Sequence, residues 1–334
     1  MSIPISILDL APIGRNETAR DSLLASVALA QAAEKHGYLR VWYAEHHNMP
    51  SIASSATSVL IAHVAAHTTT IRLGAGGVML PNHSPLTIAE QYGTLATLHP
   101  GRIDLGLGRA PGTDQKTLRA LRRTPAAADT FPQDVRELQG YLRGKSLIPG
   151  VQAIPGAGTN VPLYILGSSL FGARLAATLG LPYAFASHFA PQMLHDAVAL
   201  YRREFQPSEQ LSEPYVIAGV NVFAADDPDE AQRQFTVRRR ELARGLLSRG
   251  PGSRRLTDAE IDLLLTLPEG QQLADMLRYS AVGTADQVGE YLHRFAATSQ
   301  ADELIVVHGA SSLADRLRSL ELTAETMGTT DQSD

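Results

Sequence analysis

The sequence of 334 residues contains no cysteine, which excludes disulfide bonds, thiolate metal sites and cysteine nucleophiles. No apolar run approaches the roughly 18 residues that a membrane-spanning helix needs. The first residues, MSIPISILDL, lack a basic segment ahead of an apolar signal core. The formal net charge of −5 argues against a nucleic-acid or anionic-membrane partner. We therefore expect a cytoplasmic protein that binds neither nucleic acid nor membrane.

Aromatic residues are also scarce, at 6% of the chain, whereas hydrophobic residues make up 44% and charged residues 19%. This balance is typical of a folded globular protein, and the chain is long enough to form a sizeable core. Alanine, leucine and glycine are plentiful, which suits helices packed closely on a parallel sheet.

Eight apolar runs alternate with helix-like segments along the chain. The first four begin at residues 5, 38, 71 and 102, a spacing that accommodates a crossover helix and is too long for a hairpin. No break in composition divides the chain. The sequence therefore predicts a single (β/α)8 TIM barrel over residues 1–327, with a doubly wound sheet as the alternative. The predicted strands cover residues 5–10, 38–44, 71–80, 102–108, 163–166, 183–187, 215–224 and 303–307.

Three segments depart from the regular alternation. Residues 109–130 contain five arginine or lysine residues with proline and glycine, and we interpret them as a long loop at the barrel mouth. Residues 238–267 are predicted to form a charged helical insertion between the seventh and eighth strands. Thr257 and Glu260 fit a capping box within it. Residues 328–334 are interpreted as a frayed tail.

The second predicted strand ends in Glu45, His46 and His47, three polar groups that a buried strand has no reason to carry. In a parallel barrel the carboxyl ends of the strands converge on the mouth, where catalysis takes place. Taken alone, these three residues also allow a purely structural interpretation, in which one histidine caps a carbonyl and the other faces water. A metal-dependent hydrolase is disfavoured, because no convincing carboxylate ligands follow later strands.

Glycines and potential anion-binding groups follow the next three strands. Glycine within a strand often marks a bulge or a close approach to the backbone, and free amides with hydroxyls at a helix start bind anions. Together these features suggest a bound ligand with a flat ring against the glycines and a phosphate tail. Barrel packing for the glycines, a surface ion pair for the arginine and an ordinary N-cap for the serines remain alternatives. No dinucleotide fingerprint follows the first strand. The residues are Gly74, Gly76, Gly77, Gly108, Arg109, Gly167, Ser168 and Ser169.

Four segments in register resemble the bacterial luciferase-like flavin monooxygenases. They are VWYAEHHN (41–48), RLGAGGVMLPNHSPLTIAEQ (72–91), HPGRIDLGLGRAPG (99–112) and the turn GSS (167–169). The resemblance extends from about residue 3 to residue 307 and is greatest for an uncharacterised, single-component branch. It implies a TIM barrel, in agreement with the strand count. It also implies a homodimer, for which the helices within 53–66 and 88–98 are plausible surfaces.

The resemblance implies a role for individual residues. The position of His46 lies beside the flavin ring in the family and supports the oxygenated flavin. The pair Gly76–Gly77 matches a non-proline cis peptide under the ring, and Arg109 matches the phosphate-binding arginine. Gly108 stands where luciferase has a reactive cysteine, so light emission is not implied. The remaining cofactor-binding positions are Glu45, Gly167, Ser168 and Ser169.

We therefore expect an FMN-dependent monooxygenase that receives reduced FMN from a separate reductase. It would oxidise a small organic substrate with O2 through a flavin peroxide, without a metal. Two alternatives share the fold. One is a non-catalytic flavin-binding or storage protein. The other is a deazaflavin-dependent oxidoreductase, in which the basic run at residues 119–123 contacts a longer acidic tail.

Overall fold

The computed structural model describes residues 3–110, 112–247 and 256–329, which form a closed parallel barrel surrounded by helices. The predicted TIM barrel is confirmed. Strands β1 to β7 pair in chain order, and β9 closes the barrel between β7 and β1. The strands are β1 (Ile5–Asp9), β2 (Arg40–Tyr43), β3 (Arg72–Met79), β4 (Ile103–Gly108), β5 (Leu163–Gly167), β6 (Tyr183–Phe185), β7 (Val216–Ala224), β8 (Ser280–Gly283) and β9 (Glu303–His308).

Strand β8 was absent from the sequence prediction and is not one of the eight barrel strands. It pairs in parallel with the last four residues of β7, from Asn221 opposite Ser280 to Ala224 opposite Gly283. Strand β7 is nine residues long and continues past its pairing with β6. Strand β8 therefore covers an extension of the barrel wall. Four residues show too little alternation to be predicted as a strand.

Helices surround the barrel, and several begin and end where the sequence predicts. Thr257 and Glu260 form the predicted capping box, and the left-handed Gly180 ends α6. No helix in the described ranges is long and apolar enough to cross a membrane. The helices are α1 (Ala19–Lys35), α2 (Thr57–Ala65), α3 (Pro85–Leu98), α4 (Gln115–Ala120), α5 (Phe131–Leu142), α6 (Leu170–Leu179), α7 (Leu194–Glu204), α8 (Pro228–Leu247), α9 (Asp258–Leu265), α10 (Pro268–Met276), α11 (Ala285–Ser299) and α12 (Leu313–Met327).

The segment predicted as a long loop contains the short helix α4 and a 3-10 turn at Pro125–Ala128. The charged segment predicted to start at residue 238 belongs to α8, which begins ten residues earlier and is followed by α9 and α10. Residues 248–255 of that segment, and residues 330–334 of the predicted tail, lie outside the described residues.

A charged network fills the amino-terminal end of the barrel. Arg40 donates to Asp104 Oδ2 and to the Tyr164 hydroxyl, both at 2.7 Å, and to Glu303 Oε2 at 3.1 Å. Trp42 Nε1 donates to the same Asp104 oxygen at 3.2 Å. A buried arginine is tolerated only when it is paired, and two carboxylates pair it here. Because this network closes one end, the opposite end of the barrel is where a ligand can enter.

Candidate active site

A buried carboxylate organises the loop after β2. Glu45 Oε1 accepts hydrogen bonds from Nε2 of His47 and from Nε2 of His83, both at 2.8 Å. Its second oxygen accepts the Met79 amide at 3.2 Å. Burial alone would raise the pKa of Glu45, but the hydrogen bonds from the two histidines outweigh burial and lower that pKa to about 2. Glu45 therefore joins the end of β2 to the end of β3 as an ionised acceptor.

The cluster of Glu45, His47 and His83 also has the composition of a metal site. The three ligand atoms lie within 4.8 Å of one another, and two histidines with one carboxylate can bind a divalent transition metal. The hydrogen bonds nevertheless account for the cluster without an ion, because each histidine Nε2 has Glu45 as its acceptor. His83 was missed among the candidates, although it lies in the segment that carries the family resemblance.

His46 takes no part in that cluster. Its amide donates to the Ser54 carbonyl at 3.0 Å, while its Nδ1 atom is buried and has no hydrogen-bond partner among the described residues. Burial lowers the pKa of His46, and the charge of Glu45 opposes that effect only in part. The imidazole is therefore neutral near pH 7. Within the part of the chain that the structure describes, no group satisfies this ring nitrogen.

His188, which follows β6, was missed as a site residue. Its Nδ1 atom is also buried, and residues 3–110, 112–247 and 256–329 offer it no hydrogen-bond partner. Burial, followed by the charges of His46 and Arg238, lowers the pKa of His188 to about 4. Asn221 Nδ2 fixes the backbone by donating to the His188 carbonyl at 2.7 Å. The sequence contained a signal for it, because His188, like Glu45, is a polar residue just past the carboxyl end of a predicted strand.

The glycines of β3 lie in tight contact with their neighbours. The peptide bond between Gly76 and Gly77 is cis. A Cβ atom on Gly76 would lie 2.9 Å from Leu8 Cδ1 and 2.9 Å from Trp42 Cβ, and one on Gly77 would lie 2.7 Å from the Gly106 carbonyl oxygen. Barrel packing is therefore sufficient to require glycine at both positions. These contacts support the alternative interpretation that the two glycines serve the packing of the barrel.

Arg109 lies beside the start of α6. Its guanidinium carbon is 4.0 Å from the ring centroid of Phe171, the second residue of that helix. Ser169 occupies the N-cap position, yet its hydroxyl makes no capping hydrogen bond. The first amides of a helix lack intrahelical acceptors. Arg109 therefore contacts the first turn of the helix whose N-cap residue is Ser169.

A second arginine lies near Arg109. Arg123 Nε donates to the Asn82 carbonyl at 3.2 Å, and Arg109 and Arg123 line the same cavity of about 120 Å³. Within the basic run at residues 119–123, Arg123 is the cation that reaches this cavity, whereas Arg119 and Arg122 do not line it. The cavity adds a second positive group to the end of the site where Arg109 lies.

A family model described as luciferase-like monooxygenase matches residues 3–302. The chain belongs to the luciferase-like monooxygenase family. A luciferase-like monooxygenase of Escherichia coli K12 is 48% identical over 326 residues, which cover 97% of each chain. The N-acetyl-S-alkylcysteine monooxygenase of Bacillus subtilis is 32% identical over 334 residues and covers 97% of this chain and 98% of its own.

Several solved structures share this fold. Apo-MsnO8 has a TM-score of 0.88 and 36% identity, and the match covers 98% of this chain and 99% of that chain. The oxygenating constituent of 3,6-diketocamphane monooxygenase from Pseudomonas putida, solved with FMN, has a TM-score of 0.74, 16% identity and 98% coverage of both chains. An F420-dependent secondary alcohol dehydrogenase has a TM-score of 0.72, 16% identity and coverage of 99% and 100%. The last two likenesses show the fold alone.

Proposed function

We propose that this family member binds reduced FMN at the barrel mouth and uses O2 to oxygenate a small organic substrate. The contact between Arg109 and Phe171 carries the proposal, because it holds a permanent cation beside the free amides at the start of α6. A phosphate ester suits such a pair of donors. The monooxygenase names of two relatives and the fold neighbour solved with FMN support the choice of cofactor.

The residues of the mouth fit the two ends of FMN. At one end, positive charge, hydroxyls and amides match a phosphate. At the other end, the unpartnered Nδ1 atom of His46 matches a residue that hydrogen-bonds a ligand. We assign the phosphate to Arg109, Gly167, Ser168 and Ser169, and the ring to Glu45, Gly76, Gly77 and Gly108.

Bound reduced FMN supplies the two electrons with which O2 places one oxygen atom in the substrate and releases the other as water. His46 contributes a neutral imidazole whose Nδ1 atom can hold or accept a proton beside the reacting oxygen. Glu45 is a positioning residue, since its bonds to His47 and His83 fix the loop that carries His46. A separate reductase supplies the reduced flavin in this proposal.

A deazaflavin such as F420 is the second candidate cofactor. The specific observation in its favour is Arg123, which lines the cavity beside Arg109 and could bind a longer acidic tail. The F420-dependent fold neighbour is compatible with this alternative. A flavin-storage protein is the third reading, and it would bind flavin without oxidising any organic substrate.

A homodimer also belongs to the proposal. Ser58 Oγ on α2 donates to Gln91 Oε1 on α3 at 2.9 Å, so the two outer faces are adjacent. Val59 on α2 and Leu98 at the end of α3 are 68% and 66% exposed. Apolar side chains at this exposure suit a surface that a second copy covers. Light scattering should give twice the chain mass, and Val59→Glu should shift it to the monomer.

Anaerobic titration of the pure protein with reduced FMN, oxidised FMN and reduced F420 tests the choice of cofactor. The proposal predicts saturable binding of reduced FMN, and weaker binding of reduced riboflavin, which lacks the phosphate. Tighter binding of F420 than of reduced FMN would favour the deazaflavin enzyme. Failure of every flavin to bind would refute the cofactor assignment.

A further inference from the structure

We infer that the organic substrate is small and uncharged, and that it binds in a cavity formed by His46 and the loop that follows it. The cavity has a volume of about 290 Å³. This assignment rests on the proposed function, because it names the substrate class of the site that contains His46. The lining residues are His46, Asn48, Met49, Pro50, Ile52 and Ser55.

The cavity lies on the side of the barrel formed by β1 and β2. Residues 46–55 follow β2 and pair with the chain that follows β1, through an antiparallel bridge between Pro12 and Ile52. Arg109 instead follows β4, and Gly76–Gly77 belongs to β3, which lies between β2 and β4. Among the described residues, none lines both this cavity and the one beside Arg109. A ring at β3 with its phosphate near Arg109 therefore leaves the side of β1 and β2 for a second ligand.

Backbone hydrogen bonds hold the loop around the cavity in a fixed shape. The Ala53 amide donates to the Ala11 carbonyl at 2.9 Å, which ties the loop to the segment after β1. The His46 amide donates to the Ser54 carbonyl at 3.0 Å and closes the base of the loop. Because both ends of the lining segment are tied, the cavity is formed before a ligand binds, as is usual for small-molecule sites.

The lining offers no ionic partner to a charged substrate. Five of its six residues have side chains that carry no charge, two of them polar and three apolar. The sixth, His46, is neutral near pH 7 because burial lowers its pKa. The adjacent Glu45 does not line the cavity, and its carboxylate is bonded to His47 and His83. An ion would lose hydration here without gaining a counterion, whereas an uncharged substrate avoids that cost.

Size and polarity narrow the substrate class further. The cavity volume is at the lower end of the roughly 300–1,000 Å³ of small-molecule pockets, which favours a compact substrate over a long-chain one. Met49 and Ile52 suit apolar carbon groups. The buried Nδ1 atom of His46 has no hydrogen-bond partner in the described part of the chain, and such an atom calls for a partner. The expected substrate is a compact, mostly apolar molecule with one polar group.

Anaerobic calorimetry with the protein loaded with reduced FMN tests the inference. The probes are cyclohexanone, cyclohexanecarboxylate and cyclohexylammonium, which are similar in size and differ in charge. Wild-type protein should bind cyclohexanone about tenfold or more tightly than either ion. Met49→Trp, which fills the cavity, should weaken cyclohexanone binding by about tenfold or more while the affinity for reduced FMN stays within about twofold.

Two further variants complete the test. Met49→Ala, which enlarges the cavity, should raise the affinity for the larger ketone cyclododecanone relative to cyclohexanone. Leu147→Trp, at a position that is 64% exposed and does not line the cavity, is the matched control and should behave as wild type.

Equal binding of the three probes, tighter binding of an ion, or no binding of cyclohexanone would overturn the inference. So would a Met49→Trp variant that keeps its affinity for cyclohexanone; if it also loses reduced FMN and reduced riboflavin alike, the cavity holds the flavin ring. If reduced FMN does not bind the wild-type protein, the proposed function fails. The probes are then titrated into flavin-free protein, where a preference for cyclohexanone that Met49→Trp removes would still support the cavity. The two failures are thus distinguishable.

Discussion

The guanidinium of Arg109 stacks on the ring of Phe171, with 4.0 Å between the guanidinium carbon and the ring centroid. The contact joins the end of β4 to the first turn of α6, so the position of the cation is set by the helix whose amides would bind the same anion. A cation–π contact at a partly exposed site contributes about 0.5–1 kcal/mol. The main effect of the contact is to position the arginine, because it keeps a long, flexible side chain at the phosphate end of the site.

Replacing Arg109 with Gln should weaken binding of reduced FMN by about tenfold to a hundredfold, the usual effect of losing a charge-assisted hydrogen bond. Binding of reduced riboflavin should change less than twofold, because riboflavin has no phosphate. Anaerobic titration of both ligands measures the difference. Arg143→Gln, on a partly buried arginine paired with the exposed Glu209, is the control. Equal losses for both flavins would show that Arg109 does not contact the phosphate.

Arg123 should make a smaller contribution of the same kind. Its Nε is already bonded to the Asn82 carbonyl, which leaves its terminal nitrogens for the cavity. We expect Arg123→Gln to weaken FMN binding about threefold to tenfold, again without effect on riboflavin. If Arg123→Gln weakens F420 much more than FMN, the second arginine serves a longer acidic tail.

Glu45 should stabilise the fold in a pH-dependent manner. Its pKa is about 2 in the folded protein, against an ordinary value of 4.5, so the folded state favours the ionised form. The stability that this shift contributes is present above pH 4.5 and is lost as the pH falls towards 2; it amounts to at most about 3 kcal/mol.

Urea denaturation of wild-type protein and of Glu45→Gln between pH 7 and pH 3 measures this contribution, in the range of about 1–3 kcal/mol for a buried charged acceptor. The difference in free energy of unfolding should be largest near neutral pH and should shrink below pH 4.5. Thr130→Ala, which removes an exposed hydrogen bond to Asp134, is the control. A difference that does not vary with pH would contradict the account of Glu45.

His46→Ala should leave the affinity for reduced FMN within about twofold, because Arg109 and the start of α6 hold the phosphate and the Nδ1 atom of His46 is assigned to the reacting oxygen. It should accelerate decay of the transient that precedes the absorbance of reoxidised flavin, because the imidazole that holds or moves the proton is gone. Stopped-flow mixing of the reduced complex with O2 measures that decay. His293→Ala on the exposed face of α11 is the control. An unchanged decay rate would remove His46 from the mechanism.

The network at the closed end of the barrel should affect stability without affecting the site. Arg40→Met leaves the carboxylate of Glu303 buried without its cation and leaves Asp104 with Arg72 alone, which costs about 3–5 kcal/mol. Thermal unfolding and urea titration should both show the loss. The folded fraction should bind reduced FMN with wild-type affinity, because Arg40 lies at the opposite end from His46.

The barrel could be predicted because its signals are local and repeated. Apolar runs, glycines at helix ends and helix starts such as Ser84-Pro85 recur at a nearly constant spacing. Helix α3, for example, begins at Pro85 as predicted. Strand β8 could not be predicted in this way. Its four residues pair only with the extension of β7, so the decisive contact is distant in the sequence.

The site was predictable where strand ends carry unusual residues, and elsewhere it was not. Glu45, His46 and Arg109 stand directly after predicted strands. His83 joins the cluster only through a hydrogen bond to Glu45, which lies 38 residues earlier.

The most direct test of the central claim is to form the anaerobic complex with reduced FMN and mix it with O2 in a stopped-flow spectrometer. The account predicts a transient absorbance that precedes reoxidised flavin and lasts longer than in free reduced FMN under the same conditions. Reoxidation at the rate of free flavin, with no transient, would contradict a monooxygenase and leave a flavin-storage protein as the better explanation.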